Sequence, residues 1–158
     1  MGNTTNKSNN LVSVITPAYN CAEYIDECIE SVLNQTYQNW EMLIVDDKST
    51  DNTQSIVESY AKKDHRIKLF NQEKNAGTAA ARNKALELSQ GRFVAFLDSD
   101  DTWKPNKLER QLEFMLENKY GFTFTSFEFM SVKPLDKKKI FREPEKINYN
   151  QYLRNTII

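Results

Sequence analysis

Phe93-Val94-Ala95-Phe96-Leu97-Asp98-Ser99-Asp100-Asp101 joins five uninterrupted apolar residues to three carboxylates in four positions. The apolar run reads as a strand buried on both faces, the kind found inside a parallel sheet. Open α/β sheets place their ligands at the carboxyl ends of such strands. Asp98 and Asp100, two apart, can converge on one hard cation, because carboxylate oxygens suit Mg²⁺ or Mn²⁺. Clustered carboxylates raise one another's pKa unless a cation sits among them. Taken alone, D-x-D equally describes an Asp-rich turn that caps the next helix.

Outward from this stretch, the pattern alternates. Leu11–Thr16 predicts a strand stopped by Pro17, which cannot donate to a ladder. Residues 22–34 predict a helix with Ile25, Ile29, Val32 and Leu33 on one face. Met42–Val45 is a second strand, ending in Asp46-Asp47-Lys48-Ser49-Thr50-Asp51. A helix over about 53–62 turns Ile56, Val57 and Tyr60 inward, and Ile67–Phe70 makes a third strand. The Ala-rich helix after Asn75-Ala76-Gly77-Thr78 runs to about Ser89 and is closed by Gly91. After the opening stretch, Trp103-Lys104-Pro105 leads to a helix over 106–118, and Phe122–Phe129 alternates like a half-covered strand. The order β-α-β-α-β-α-β-α-β predicts an α/β fold, a Rossmann-like, mostly parallel sheet with helices on both faces.

The totals narrow the function. A chain of 158 residues fits one domain, and its net charge of −1 gives no global reason to expect nucleic acid as a partner. No apolar run reaches the roughly 20 residues of a membrane span, and the N-terminus lacks a signal-peptide core. Cys21 and Cys28 read as reduced, half-buried thiols rather than a disulfide. With His65 the sole histidine, a bound metal would be held by carboxylates.

Three sequence-distant loops meet at the carboxyl edge of such a sheet: 17–20, 46–51 and 98–101. Tyr19 offers an aromatic face for a base and Asp47 a carboxylate for its ring N–H. Asp98 suits ribose hydroxyls, and Asp100 a divalent cation bridging two phosphates, a Lewis acid for a departing diphosphate. Gly77 to Asn83 opens a helix whose free N–H groups, with Arg82, face an anion. Each feature has a plainer reading. Tyr19 and Trp103 are packing residues, Asp51 and Asp101 cap helices, and Gly77 is a turn glycine. Arg82 pairs with the acidic cluster, and Lys137-Lys138-Lys139 with Arg142 is a solvated loop or a patch for anionic lipid.

Four stretches decide between these readings: Val14-Ile15-Thr16-Pro17-Ala18-Tyr19-Asn20, Val45-Asp46-Asp47-Lys48-Ser49-Thr50-Asp51, Gly77-Thr78-Ala79-Ala80-Ala81-Arg82-Asn83 and Asp98-Ser99-Asp100-Asp101. In order and spacing, over about residues 11 to 105, they resemble family 2 glycosyltransferases. The resemblance implies a GT-A nucleotide-sugar-binding half, Mn²⁺ or Mg²⁺, and inverting transfer from a nucleotide-diphosphate sugar, UDP-linked by expectation, to a saccharide or lipid-linked acceptor. By position, Pro17 and Tyr19 fall in the base pocket, Asp47 on a uracil-type ring, and Arg82 and Asp98 on the donor. Asp100, with Asp98, falls on the metal. The family's general base and acceptor-side motif have no convincing counterpart after Phe129, since Glu128, Glu143 and Glu145 qualify only by being acidic.

The expected organisation is therefore a tail over 1–10, a donor-binding core over 11–132 and the start of an acceptor-side region over 133–158. The base is expected beyond Ile158. A role in bacterial surface polysaccharide synthesis, in the cytoplasm or peripheral to the inner membrane face, follows from the resemblance. The alternatives are a binding-only nucleotide-sugar module and a receiver-type regulatory domain. The receiver fits poorly, because its Asp pair follows the first strand and here the pair follows the second. No G-x-G-x-x-G follows the first strand, against a dinucleotide-dependent oxidoreductase. A nucleotidyltransferase would carry a Gly-rich basic loop where Pro17-Ala18-Tyr19-Asn20 stands.

Overall fold

The computed structural model describes residues 10–128 and the backbone of a two-residue strand at 140–141. The expected tail and acceptor-side region, with Lys137–Lys139, Arg142, Glu143 and Glu145, lie outside the described side chains. The chain forms two compact units, Met1–Glu113 and Phe114–Ile158. The first unit alternates β1 (Val12–Ala18), α1 (Ile25–Leu33), β2 (Trp40–Asp46), α2 (Thr53–Ala61), β3 (Ile67–Asn71), α3 (Thr78–Leu88) and β4 (Phe93–Phe96). A further helix, α4 (Lys107–Asn118), follows. The four strands make one parallel sheet in the order β3-β2-β1-β4. In the second unit β5 (Phe127–Glu128) pairs antiparallel with β6 (Ile140–Phe141).

β1 and β2 are buried at every position, so their alternate residues serve two cores. Val12, Val14, Met42 and Ile44 meet Ile25, Ile29 and Val32 of α1, Val57 of α2, and Leu108 and Leu112 of α4. Ile15, Leu43 and Val45 meet Ala81 and Ala85 of α3, whose small side chains let that helix lie close. Helices thus cover both faces. Each fully buried Ile or Val of α1 contributes about 1.5–3 kcal/mol relative to exposure.

The amino edge of the sheet is tied by a polar staple. Glu41, 4% exposed, accepts from Ser13 Oγ (2.7 Å), Lys68 Nζ (2.8 Å) and Gln90 N (2.8 Å). Gly91 N donates to Ser13 Oγ at 2.8 Å.

Several expectations need correction. The strand at Phe93 is not buried on both faces: Val94 and Phe96 are 41% and 53% exposed, because β4 lies at the edge and α3 packs on β1 and β2. β1 does not stop at Pro17 but continues to Ala18. Leu11 O and Ile15 O accept from Phe93 N and Leu97 N, so the odd residues of β1 turn their backbone groups toward β4. β4 ends opposite Ile15, and the missing N–H of Pro17 forfeits no ladder bond.

Gly91 is no left-handed helix cap, since Gly77 is the sole glycine with positive φ among the described residues. A Cβ at Gly91 would lie 2.6 Å from Ser13 N and 2.8 Å from Leu11 O, so close approach to β1 requires the glycine. Within residues 122–128 only Phe127–Glu128 is strand, and Phe122 is 64% exposed: alternation alone supplies no neighbouring strand to pair with. Cys21 and Cys28 are free as expected, but fully buried rather than half-buried.

Candidate active site

The carboxyl ends of β1 and β2 open into loops that are laced together. Asn20 N donates to Ser49 Oγ (2.9 Å) and Thr50 N to Asn20 Oδ1 (2.8 Å). Ala22 N reaches Asp51 Oδ2 (3.1 Å) and Cys21 N reaches Thr53 Oγ1 (2.9 Å). Asp51 Oδ1 also accepts from Thr53 N (3.0 Å), but it is not the expected N-cap of α2: that position falls on Asn52, whose side chain makes no cap bond. Asn20 and Lys48 sit at φ 47° and 68°, a backbone region that non-glycine residues seldom enter and that tight loops at functional sites tolerate. Asp46, fully buried, folds its own turn by accepting from Ser49 N and Gln54 Nε2.

That turn presents Asp47. Its carboxylate is 3% exposed and accepts from Gln72 Nε2 (2.7 Å), Ala76 N (2.8 Å) and Gly77 N (2.7 Å). Two carboxylate oxygens offer about four acceptor positions, so three bonds leave room for one more donor. Gly77, the residue preceding α3, has φ 88° and ψ 160°, a region essentially confined to glycine. The plain turn-glycine reading of Gly77 therefore holds.

A cavity of about 270 Å³ opens here, lined by Pro17, Ala18 and Tyr19 from the end of β1, by Asp47, and by Asp98 and Asp100. Tyr19 is half exposed. Thr78 and Ser99 complete the lining. Neither they nor Gln72 stands out in the sequence, Gln72 least of all, since a lone glutamine after a strand carries no signal. Arg82 does not line the cavity: its Nη2 pairs with Asp98 Oδ1 at 2.5 Å. The structural role foreseen for Arg82 is thus present, and its buried Nε has no hydrogen-bond partner among the described residues.

The acidic segment itself has no regular structure. Asp101 N turns back to Asp98 O (3.0 Å). Burial, with the charges of Asp100 and Asp98, raises the Asp101 carboxyl above its ordinary value. Asp101 does not cap the following helix, which begins only at Lys107; the amide of Leu108 is met instead by Gln35 Oε1 at 3.0 Å. Trp103 is a packing residue. It lies against the core, with Lys107 Nζ 3.6 Å from its ring centroid.

Among the described residues no three His, Cys, Asp or Glu side chains converge on a point. An all-protein metal cage is therefore not built. Two carboxylates lining one cavity do fit a hard cation. Mg²⁺ and Mn²⁺ use such sites, taking the rest of their shell from phosphate oxygens and water.

A parallel α/β sheet whose carboxyl edge gathers an aromatic residue, a cavity and an acidic pair has the architecture of the GT-A fold. Residues 13–157 match the model of Glycosyl transferase family 2, and the chain belongs to that family. It is 53% identical over 148 residues to the putative teichuronic acid biosynthesis glycosyltransferase TuaG of Bacillus subtilis, covering 94% of this chain and 59% of that protein. It is 48% identical to the Escherichia coli UDP-Glc:alpha-D-GlcNAc-diphosphoundecaprenol beta-1,3-glucosyltransferase WfgD, covering 92% and 56%. The chain thus spans little more than half the length of these relatives.

Among solved structures, S. aureus TarS 1–349 in complex with UDP matches with TM-score 0.65 and 39% identity, over 68% of this chain and 32% of that one. The Pyrobaculum calidifontis mannosyltransferase PcManGT, solved with GDP-Man and Mn²⁺, matches with TM-score 0.62 and 31% identity, over 66% and 32%. The receiver alternative falls with the family match and with the strand order, since β1 here lies between β2 and β4 rather than between β2 and β3.

Proposed function

We propose that this chain is the donor-binding part of a glycosyltransferase that moves a sugar from a UDP-sugar to an acceptor hydroxyl with inversion, in bacterial surface polysaccharide synthesis. The observation that carries the reading is the cavity shared by Tyr19, Asp47, Asp98 and Asp100, drawn from three strand ends. In this reading Pro17 and Tyr19 flank the base, and Asp47 accepts the ring N–H of uracil with the capacity left after its three internal bonds. Asp98 takes ribose hydroxyls. Arg82 serves the donor through Asp98, which it holds by an ion pair.

Asp100, with Asp98, would hold Mn²⁺ or Mg²⁺, which when bound offsets the charge of the departing diphosphate. The acceptor oxygen forms its bond to the anomeric carbon as the bond to diphosphate breaks, and the acceptor proton passes to a general base outside the described residues. The lipid-linked acceptor follows from the similarity to a glucosyltransferase acting on a diphosphoundecaprenol-linked sugar. A site at the cytoplasmic membrane face agrees with that acceptor, and no described helix is long and apolar enough to cross a membrane.

Calorimetric titration with UDP, with and without Mn²⁺, and with GDP for comparison, tests the reading. Binding that prefers UDP and strengthens with Mn²⁺ is expected. Preference for GDP would overturn the assignment of Asp47 to uracil, and absence of nucleotide binding would overturn the site. The second reading is binding without turnover. Release of UDP from UDP-glucose in the presence of an acceptor lipid separates the two.

A further inference from the structure

The acidic segment between β4 and α4 has no ladder of its own, yet it has to hold Asp98 and Asp100 in register. α1 tethers it at both ends. Near its start, Cys28 Sγ donates to Asp98 O at 3.6 Å. Near its end, the carboxamide of Gln35, 1% exposed, donates from Nε2 to Lys104 O at 2.9 Å and accepts from Leu108 N at 3.0 Å. The same Nε2 donates to Ser31 O at 3.0 Å, which fixes the amide to the last turn of α1. The next residue repeats the contact, Thr36 N meeting Pro105 O (2.8 Å) and Thr36 Oγ1 meeting Glu109 Oε2 (2.7 Å). Cys28 lies within α1, and Gln35 stands two residues past its end, held to the helix by the bond to Ser31 O.

We infer that Gln35 is a positioning residue for the acidic pair: by clamping Lys104 and Leu108 to the end of α1 it sets where Asp98–Asp101 stand at the cavity. The inference rests on the reading of Asp98 and Asp100 as the metal-binding pair. A side chain serving only to cap α4 would need its Oε1 alone, whereas here both donor bonds are made as well, one of them to the acidic segment's own backbone. The bond to Leu108 N is buried, so an apolar replacement strands that amide and takes from Lys104 O its tie to α1. The nearest acidic residue is three positions from Lys104, so the effect travels through backbone.

Two readouts test it on the full chain. The first is exchange of the Asp101 amide, whose bond to Asp98 O belongs to the acidic segment and not to Gln35. The second is the factor by which Mn²⁺ strengthens UDP binding. In Gln35→Leu we expect Asp101 exchange to accelerate about tenfold and the Mn²⁺ enhancement to fall about tenfold, with a smaller loss of metal-free UDP affinity through Asp98. Gln35→Glu keeps the acceptor for Leu108 N but loses the donors. It preserves the α4 cap if the Leu variant does not fold, and is expected to show the same loss at Asp101.

Ser13→Ala, which loosens the staple at the opposite edge of the sheet, is the control for lowered stability and should leave both readouts unchanged. Wild-type Asp101 protection and Mn²⁺ enhancement in a folded Gln35 variant would overturn the inference, as would equal losses in Ser13→Ala. Faster Asp101 exchange in a protein whose wild type gains nothing from Mn²⁺ would uphold the positioning role and overturn the metal reading beneath it.

Discussion

At the scale of single residues, Asp47 and Asp100 divide the work differently from what their charges alone suggest. Asp47 is buried and already committed to Gln72, Ala76 and Gly77. Asp47→Ala therefore removes a structural brace together with the proposed base contact. The expected outcome is a loss of about 2 kcal/mol in denaturant unfolding and weaker UDP binding with or without metal. Asp100 is exposed and holds up nothing described here. Asp100→Ala should leave the unfolding midpoint unchanged and abolish the gain in UDP affinity from Mn²⁺, by calorimetry. Unchanged affinity in both variants would refute the site assignment. The sequence could place both carboxylates at strand ends because apolar runs stop abruptly there. It could not show that Asp47 faces the β3–α3 loop, since its partners lie 25 to 30 positions away and two of them are backbone amides.

At the scale of elements, the two edges of the sheet respond to different perturbations. Gly77 has open space around a would-be Cβ, but its φ of 88° strains any other residue. Gly77→Ala should cost about 1–3 kcal/mol and shift the start of α3, read as a lower melting temperature with weaker UDP binding. Gly91→Ala fails for the opposite reason, a clash with the backbone of β1. It should cost about as much while leaving UDP affinity intact, because the crowded edge is remote from the cavity.

The staple at that remote edge also predicts a pH dependence. Burial alone would raise the Glu41 carboxyl, but hydrogen bonds from Lys68, Ser13 and the Gln90 amide outweigh it and hold Glu41 below its ordinary value of 4.5. A carboxyl lowered on folding stabilises the protein above its unfolded pKa, and that contribution disappears as pH falls through the folded one. The stability advantage of wild type over Glu41→Gln should thus be full near neutrality, shrink as pH falls below the ordinary value of 4.5, and disappear once pH passes the lowered folded value, as followed by thermal unfolding. A pH-independent difference would remove Glu41 from this role. Element types were legible from periodicity over residues 11 to 118, but not at 122–126, where alternation gave no strand. What misled was environment: the apolar run at Phe93 looks central because exposure depends on strand order, which hydrophobicity does not encode.

At the scale of the molecule, the strand order β3-β2-β1-β4 explains why one edge can carry a site built from residues 17 to 100. All four strands run the same way, so every strand end with a motif emerges on the same edge. The motifs' order and spacing therefore pointed to the candidate site as a set, and residues from each of them line one cavity. The partners that hold the set in place, Gln35 and Gln72, stayed hidden because an isolated glutamine has no pattern. The laced pair of loops has a thermodynamic consequence for whatever binds there. Asn20, Ser49 and Thr50 have made their bonds to one another, and Asp51 its bond to Ala22 N, before any ligand arrives. A nucleoside reaching this side finds its contacts preassembled, and little of its binding energy is drained by freezing protein torsions. Truncating those four side chains should leave the contact surface nearly the same and still weaken the complex, through entropy.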